Sequence, residues 1–276
     1  MRSRVRCASC GVATTIPWPS EDELDAAYGD WYRPADGRFS GSGDRLLRYL
    51  RGRLARRIDR IVPPGPILDV GSGDGALLDA LRRRGREAAG LERAATEGTR
   101  DLEIFELEQG NWAGVVFWHS LEHLREPGKA IERAARLLRP GGFLFVAVPN
   151  SASFQARLFG DRWFALDIPR HLVHLTAPAL LHKIEESGLQ VERVSYTRGG
   201  QILFGWVHGI VSLLPAHRNL YDAIRRPAAR SRPLSATARL VTVGLGVIVL
   251  PIAALGTLIE VLARRGGTVY VEARRA

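Results

Sequence analysis

The sequence predicts an α/β protein built on a mostly parallel, doubly wound sheet. Three observations carry that prediction. A short apolar strand, a glycine turn and a helix follow one another in "PILDVGSGDGALLDALRRRG" (66–85). Apolar strands then alternate with helical stretches as far as "LQVERVSYT" (189–197), which is the rhythm of βαβ units. A final alternating strand, "GTVYVEARR" (267–275), follows a long segment of different character.

The elements can be taken in order. Residues 6–32 form a Pro-containing lead-in that holds Cys7 and Cys10, the only cysteines. Two cysteines at this spacing are half of a zinc knuckle, because tetrahedral structural zinc needs four ligands. Residues 43–61 predict an Arg-rich amphipathic helix, with Leu46, Leu47, Leu50, Leu54, Ile58 and Ile61 along one side. After the strand, turn and helix of 66–85, "EAAGLE" (87–92) reads as a second strand. "LEIFE" (102–106) is a third and "AGVVFW" (113–118) a fourth. A helix over 127–138 should stop at Pro140-Gly141-Gly142, before a fifth strand at 143–150. A helix over 177–187 leads to the sixth strand. The domain expectation is a lead-in at 1–42, a core at 43–200, an apolar and basic insertion at 201–266, and a last core strand at 267–276.

Composition narrows the function classes. The chain has 276 residues, a net charge of +10 and only two lysines, Lys129 and Lys183. Residues 201–276 hold ten arginines against Asp222, Glu260 and Glu272, a net of +7 that leaves +3 for the rest. That asymmetry points the C-terminal part toward something anionic. Nucleic acid is disfavoured, since the basic run lacks interleaved aromatics for base stacking. Two cysteines make no disulfide framework, and no signal peptide precedes them, so a cytoplasmic protein is expected.

Gly71-Ser72-Gly73-Asp74-Gly75 is the first candidate site. Glycine has no Cβ and tolerates positive φ, so backbone can approach a ligand there. Ligands of open α/β sheets lie at the carboxyl ends of the strands. Asp69 precedes the turn, and Glu92 ends the next strand, where an acid can accept from ribose hydroxyls. The spelling lacks the third-glycine spacing of a dinucleotide fold, which disfavours a nicotinamide oxidoreductase.

His119-Ser120-Leu121-Glu122-His123 is the second candidate. It spells the H-x-x-E-H of some zinc peptidases, but a catalytic zinc needs a third protein ligand. The third candidate is "WFALDIPRHLVHLT" (163–176), which gathers Asp167, Arg170, His171 and His174. Histidine suits a base role near neutral pH. Two other roles stay open for His171 and His174: capping the helix near Thr176, or pairing with Asp167.

The insertion contains two apolar runs, 202–215 and 240–259, the second without a charge and long enough to cross a bilayer. A single crossing would strand the last strand on the wrong side. A membrane-contacting hairpin is favoured, with Arg218, Arg225, Arg226, Arg230, Arg232 and Arg239 facing an anionic leaflet. A buried lid or dimer interface is the alternative.

"ILDVGSGDG", Glu92, "VVFWHSLEHLREPGKAIERAARLLRPGGFLFVAVPN" and "DIPRHLVHLT" together resemble the class I S-adenosylmethionine-dependent methyltransferases. The likeness is nearest to a bacterial subgroup with an N-terminal cysteine ribbon and a "PRH" loop. It implies a Rossmann-like seven-stranded sheet whose last strand is antiparallel and inserted between strands five and six. It implies that Asp69, Gly71, Ser72 and Gly73 line the methionine part of S-adenosylmethionine, that Glu92 holds the ribose, and that Glu106 or Glu108 lies near adenine. His119 would face the cofactor and join His171 and His174 as the catalytic candidates. Some quinone-modifying relatives hold magnesium near this point; no metal ligand is expected here. Two departures touch the adenine pocket. The second helix is cut short in "RAATEGTRD", and Trp112-Ala113-Gly114 lacks the usual aspartate. The expected activity is methyl transfer to oxygen or nitrogen of a small-molecule or lipid-linked acceptor. The alternative is a catalytically silent, membrane-bound interaction module.

Overall fold

The computed structural model describes residues 3–29, 32, 37–39, 41–92, 99–100, 103–107, 110–197, 201–214 and 219–276. Glu108, Arg218 and most of "RAATEGTRD" lie outside the described residues.

The chain opens with a hairpin, β1 (Ser3–Arg6) and β2 (Ala13–Ile16). Two helices follow, α1 (Glu21–Ala27) and α2 (Gly41–Ile61). The α/β core then runs β3 (Ile67–Val70), α3 (Ala76–Arg82), β4 (Ala88–Leu91), β5 (Thr99–Arg100), β6 (Trp112–Trp118), α4 (Pro127–Leu137) and β7 (Leu138–Pro149). Next come α5 (Phe154–Phe159), β8 (Val173–His174), α6 (Ala177–Glu186) and β9 (Leu189–Ser195). Four helices, α7 (Ile202–Leu213), α8 (Leu220–Ile224), α9 (Ala236–Ile248) and α10 (Leu250–Leu262), precede β10 (Thr268–Arg275).

Among the described residues the main sheet has seven strands in the order β5-β4-β3-β6-β7-β10-β9. β3 pairs in parallel with β4 and β6, and β6 with β7. β10 is antiparallel to both β7 and β9, as the resemblance implied. Its central strands are buried on both faces, which is why they read as continuous apolar runs. Successive side chains of β6 serve opposite layers. Val115 and Phe117 pack with α4 and α6, and Val116 packs with α2 and α3.

Three expectations change. The third strand lies at Thr99–Arg100, not 102–106. Ile104–Glu106 is instead a 3-10 turn, closed because the Glu106 carboxylate accepts from the Glu103 amide at 2.6 Å. The break at Pro140-Gly141-Gly142 falls inside β7, whose register against β6 shifts there. The apolar stripe of α2 is used only in its second half: Leu54 and Ile58 are buried, while Leu46, Leu47 and Leu50 are exposed. The run at 240–259 falls in two helices, α9 and α10, bent by 52°. Pro251 opens the second helix, where its missing amide hydrogen costs nothing.

The lead-in is also more than a leader. β2 pairs with β8, Ala13 opposite His174, to form a second sheet of three strands. The insertion is anchored by one carboxylate. Glu260 of α10 is fully buried and accepts from the Gln155 amide (2.9 Å), Gln155 Nε2 (2.8 Å) and Trp206 Nε1 (2.9 Å). Gly256 lets α10 close on the Trp206 ring, since a Cβ there would sit 2.8 Å from it.

Removing that carboxylate should loosen the insertion. Glu260→Ala strands three buried donors and should lower unfolding stability by about 3 kcal/mol. Urea denaturation measures it; unchanged stability would mean that the insertion is held elsewhere.

Candidate active site

The glycine turn sits at the carboxyl end of β3. Gly71, Gly73 and Gly75 all take positive φ, at 77°, 65° and 70°. A side chain on Gly71 would meet Ser120 Cβ at 2.3 Å. The turn therefore needs glycine there to bring β3 against the end of β6. Glu92 Oε2 accepts from the Gly73 amide at 2.5 Å, so the acid at the end of β4 closes on the turn. Ser72 Oγ is 3.5 Å from the Leu91 carbonyl. Asp69 is buried, and its Oδ1 has no hydrogen-bond partner among the described residues. Burial pushes its pKa up to about 7; Arg51 opposes this, and Glu92 and Asp74 add to it. Buried polar atoms are normally satisfied, so an orphaned oxygen beside a side-chain-free cradle fits a cationic or hydrogen-donating ligand. Glu106 is exposed and turned back onto its own 3-10 turn.

His119 leaves β6 with φ of 54°, a strained value for a residue with a Cβ. The next residues form a 3-10 turn, Leu121–His123, not a regular helix. Zinc-helix spacing is therefore not realised in this segment. Glu122 lies at the centre of a histidine cluster. Its carboxylate is buried, 3.5 Å from His119 Nδ1 and 3.8 Å from His171 Nε2. Burial resists its ionisation, but the contact from His119 and the charges of His171, His123 and His119 outweigh that and lower its pKa. Among the described residues, both Glu122 oxygens and His119 Nε2 lack a well-formed hydrogen bond.

The 163–176 loop completes the cluster. His171 Nδ1 is 2.9 Å from the Ala165 carbonyl. A carbonyl can only accept, so Nδ1 carries the hydrogen and Nε2 keeps the lone pair. Nε2 lies 3.8 Å from both Glu122 Oε1 and Asp167 Oδ2. Arg170 chelates Asp167 through Nε (3.0 Å) and Nη2. His123 Nδ1 meets the Arg170 carbonyl and the Tyr28 hydroxyl, each at 2.9 Å. Burial and repulsion from His171 lower its pKa to about 4, so it is neutral near pH 7. Glu122, His123 and His171 each offer one ligand atom, and these lie within 4.8 Å of one another, close enough to share a cation.

His174 is not brought into this cluster. Its Nε2 bonds Thr15 Oγ1 at 2.9 Å across the small sheet, and Thr15 Oγ1 donates to the His171 carbonyl. Burial, with repulsion from His171 and Arg4, lowers its pKa to about 4. The open alternatives for the loop resolve unequally. Thr176 itself caps α6, by accepting from the Ala179 amide, whereas His171 does approach Asp167. Tyr28 and Thr15 had no signal in the sequence, because their partners are 95 and 159 residues away. Glu122 is legible in the H-x-x-E-H spelling, but its approach to His171 is not, because the two are far apart along the chain.

A family model described as a methyltransferase domain matches residues 46–194. A ubiquinone biosynthesis O-methyltransferase of Xanthomonas axonopodis pv. citri is 29% identical over 162 residues, 49% of this chain and 67% of that protein. The protein of the same name from Xanthomonas oryzae pv. oryzae is 30% identical over 153 residues, 47% and 64% of the two chains. The match thus spans about two thirds of these relatives. The crystal structure of a SAM dependent methyltransferase from Archaeoglobus fulgidus superposes with a TM-score of 0.50 at 16% identity, covering 83% of this chain and 94% of that one. At that identity the likeness concerns the fold alone. The family match begins inside α2, ends inside β9 and takes in the strands that share one direction: the chain belongs to the family of S-adenosylmethionine-dependent methyltransferase domains.

Proposed function

We propose that the chain transfers the methyl group of S-adenosylmethionine to an oxygen or nitrogen of a small-molecule or lipid-linked acceptor, working at a membrane surface. The observation that carries the chemistry is the placement of His171 Nε2 between two carboxylates. When bound, S-adenosylmethionine supplies a methyl group on a cationic sulfonium, open to in-line attack. Asp69, Gly71, Ser72 and Gly73 would hold its methionine part, and Glu92 its ribose. His119 faces the methyl donor. His171 Nε2 takes the acceptor's proton, and the imidazolium so formed is held by Glu122 and Asp167. His174 positions this loop through Thr15. The curated relatives are named for O-methylation, which supports oxygen as the accepting atom. The catalytic unit comprises residues 43–200 with the strand at 267–276, and residues 1–42 brace the loop, as in the subgroup with the cysteine ribbon and the PRH loop.

The membrane reading rests on the insertion, residues 201–266. No single described helix is long and apolar enough to cross a bilayer. Yet α9 and α10 leave a broad apolar face outward, with Leu240 74%, Ile248 72% and Leu262 73% exposed. A patch of this kind marks a docking surface. Arg232 and Arg239 at one end and Arg264 and Arg265 at the other are exposed, which suits anionic head groups on the cytoplasmic face.

Three outcomes test these readings. Ionised Asp69 would pair with the cofactor's ammonium, so binding should tighten as pH rises through its pKa of about 7. S-adenosylhomocysteine should bind about tenfold more tightly at pH 8 than at pH 6 in calorimetry, and Asp69→Asn should flatten that profile. His171→Ala should cut turnover by about 100-fold or more while S-adenosylhomocysteine binding persists. Activity that survives chelation assigns His171 to proton transfer; activity lost on chelation points to a cation on Glu122, His123 and His171. The double variant Ile248→Asp, Leu262→Asp should weaken co-sedimentation with phosphatidylglycerol vesicles by about tenfold or more. A wild-type protein that never sediments with vesicles removes the membrane reading.

A further inference from the structure

The first half of α2 has no place in the core. Leu46, Leu47, Tyr49 and Leu50 stand exposed within five residues, Leu46 and Tyr49 at 56% each. The same helix buries Leu54, Ala55 and Ile58 further along, so its apolar stripe runs on beyond the part that packs. Single exposed leucines are ordinary, but four large apolar side chains together mark a contact surface.

The charges around this stripe are nearly all of one sign. Residues 41–53 hold Arg45, Arg48, Arg51 and Arg53 against a single acid, Asp44. Asp44 is taken up by the chain before the helix, where its Oδ1 accepts from the Phe39 amide at 3.2 Å. Arg45 Nε donates to the Gly41 carbonyl at 3.1 Å, and Arg48 and Arg53 are exposed. A helix that shows leucines, a tyrosine and arginines to solvent suits a surface that is anionic outside and apolar beneath, which is a layer of lipid head groups. A second copy of the chain fits less well, because a two-fold contact would set these arginines against their own counterparts. Nucleic acid offers phosphates but no apolar bed for three leucines.

The start of α2 is also tied to the insertion. The Phe39 ring lies 6.0 Å from that of Tyr221 in α8, and the Phe39 carbonyl accepts from Arg226 Nε at 2.6 Å. Arg239 of α9 in turn donates to the Ala223 carbonyl of α8 at 3.0 Å. Thus α8 joins the start of α2 to α9, which carries part of the exposed apolar face. Arg51, the residue after the stripe, lies 5.1 Å from the Trp118 ring centroid at the end of β6. We propose that residues 41–53 of α2 form a second contact with an anionic lipid surface, in addition to that of α9 and α10. This rests on the membrane reading above. Leu46 and Tyr49 enter the head-group layer, and Arg48 and Arg53 meet lipid phosphates. Two contacts joined through α8 fix how the protein stands on the bilayer, which one patch does not.

The test is co-sedimentation of the full chain with phosphatidylglycerol and with phosphatidylcholine vesicles. The double variant Leu46→Asp, Tyr49→Asp should weaken binding to phosphatidylglycerol by about tenfold or more. Arg48→Gln, Arg53→Gln should weaken it by about tenfold on phosphatidylglycerol and leave binding to phosphatidylcholine nearly unchanged. In Tyr49→Trp, brominated phosphatidylglycerol should quench fluorescence beyond the level seen in wild-type protein. Circular dichroism checks that the double variants fold; if either does not, the Tyr49→Trp quenching decides. Double variants that bind as wild type does overturn the proposal, as does an absence of added quenching. If Ile248→Asp, Leu262→Asp loses vesicle binding while the α2 variants keep it, the membrane reading stands and this second contact falls. A dimer or a duplex DNA complex that the α2 variants lose, with vesicle binding unchanged, gives the face to a second copy or to nucleic acid and also overturns it.

Discussion

A single buried carboxylate, Glu122, organises the histidine cluster of this protein. Its backbone carbonyl accepts from the Leu172 amide at 2.9 Å, and its side chain draws in His119 and His171. A buried charge is tolerated only when surrounding groups compensate it. Here that demand falls on residues from two parts of the chain. His119 comes from the end of β6, and His171 from the loop before β8. The lead-in then secures both neighbours: Tyr28 reaches His123, and the Thr15 amide donates to the Leu172 carbonyl at 2.9 Å.

That arrangement accounts for the strained backbone. His119 and Asp167 both carry positive φ, and both point side chains toward the cluster. Strain of this kind persists when the surroundings over-determine it. It also separates the histidines by their surroundings. His123 and His174 are kept neutral by burial, whereas His171 is flanked by two acids that can hold a cation. His171 Nε2 thus stands between two carboxylates, while His123 and His174 are engaged by Tyr28 and Thr15.

The insertion obeys a parallel rule with Glu260. Fixing α10 through Gln155 and Trp206 leaves the outer faces of α9 and α10 without cover. The inner faces of α7 and α8 then close a cavity against the 161–170 loop. A pocket wall and an exposed apolar surface are thereby built from one segment.

Much of the core was legible in the sequence. Local signals sufficed for β3, the glycine turn and α3, because strand burial, positive φ and helix start are each written in adjacent residues. The resemblance carried the antiparallel last strand, which β10 fulfils. What escaped was non-local. The turn at Ile104–Glu106 depends on one side chain closing on one amide, and the break between α9 and α10 on packing that a hydropathy run does not record. The second sheet depends on β2 meeting a strand of two residues far along the chain. By itself the sequence determined the glycine turn, the acids at the strand ends and the histidines. Only the tertiary structure decided that Glu122 stands among those histidines, that His174 stands apart, and that the insertion walls a cavity. The physical reason is that such contacts are set by how the layers pack, and a buried charge chooses its partners across the fold, not along the chain.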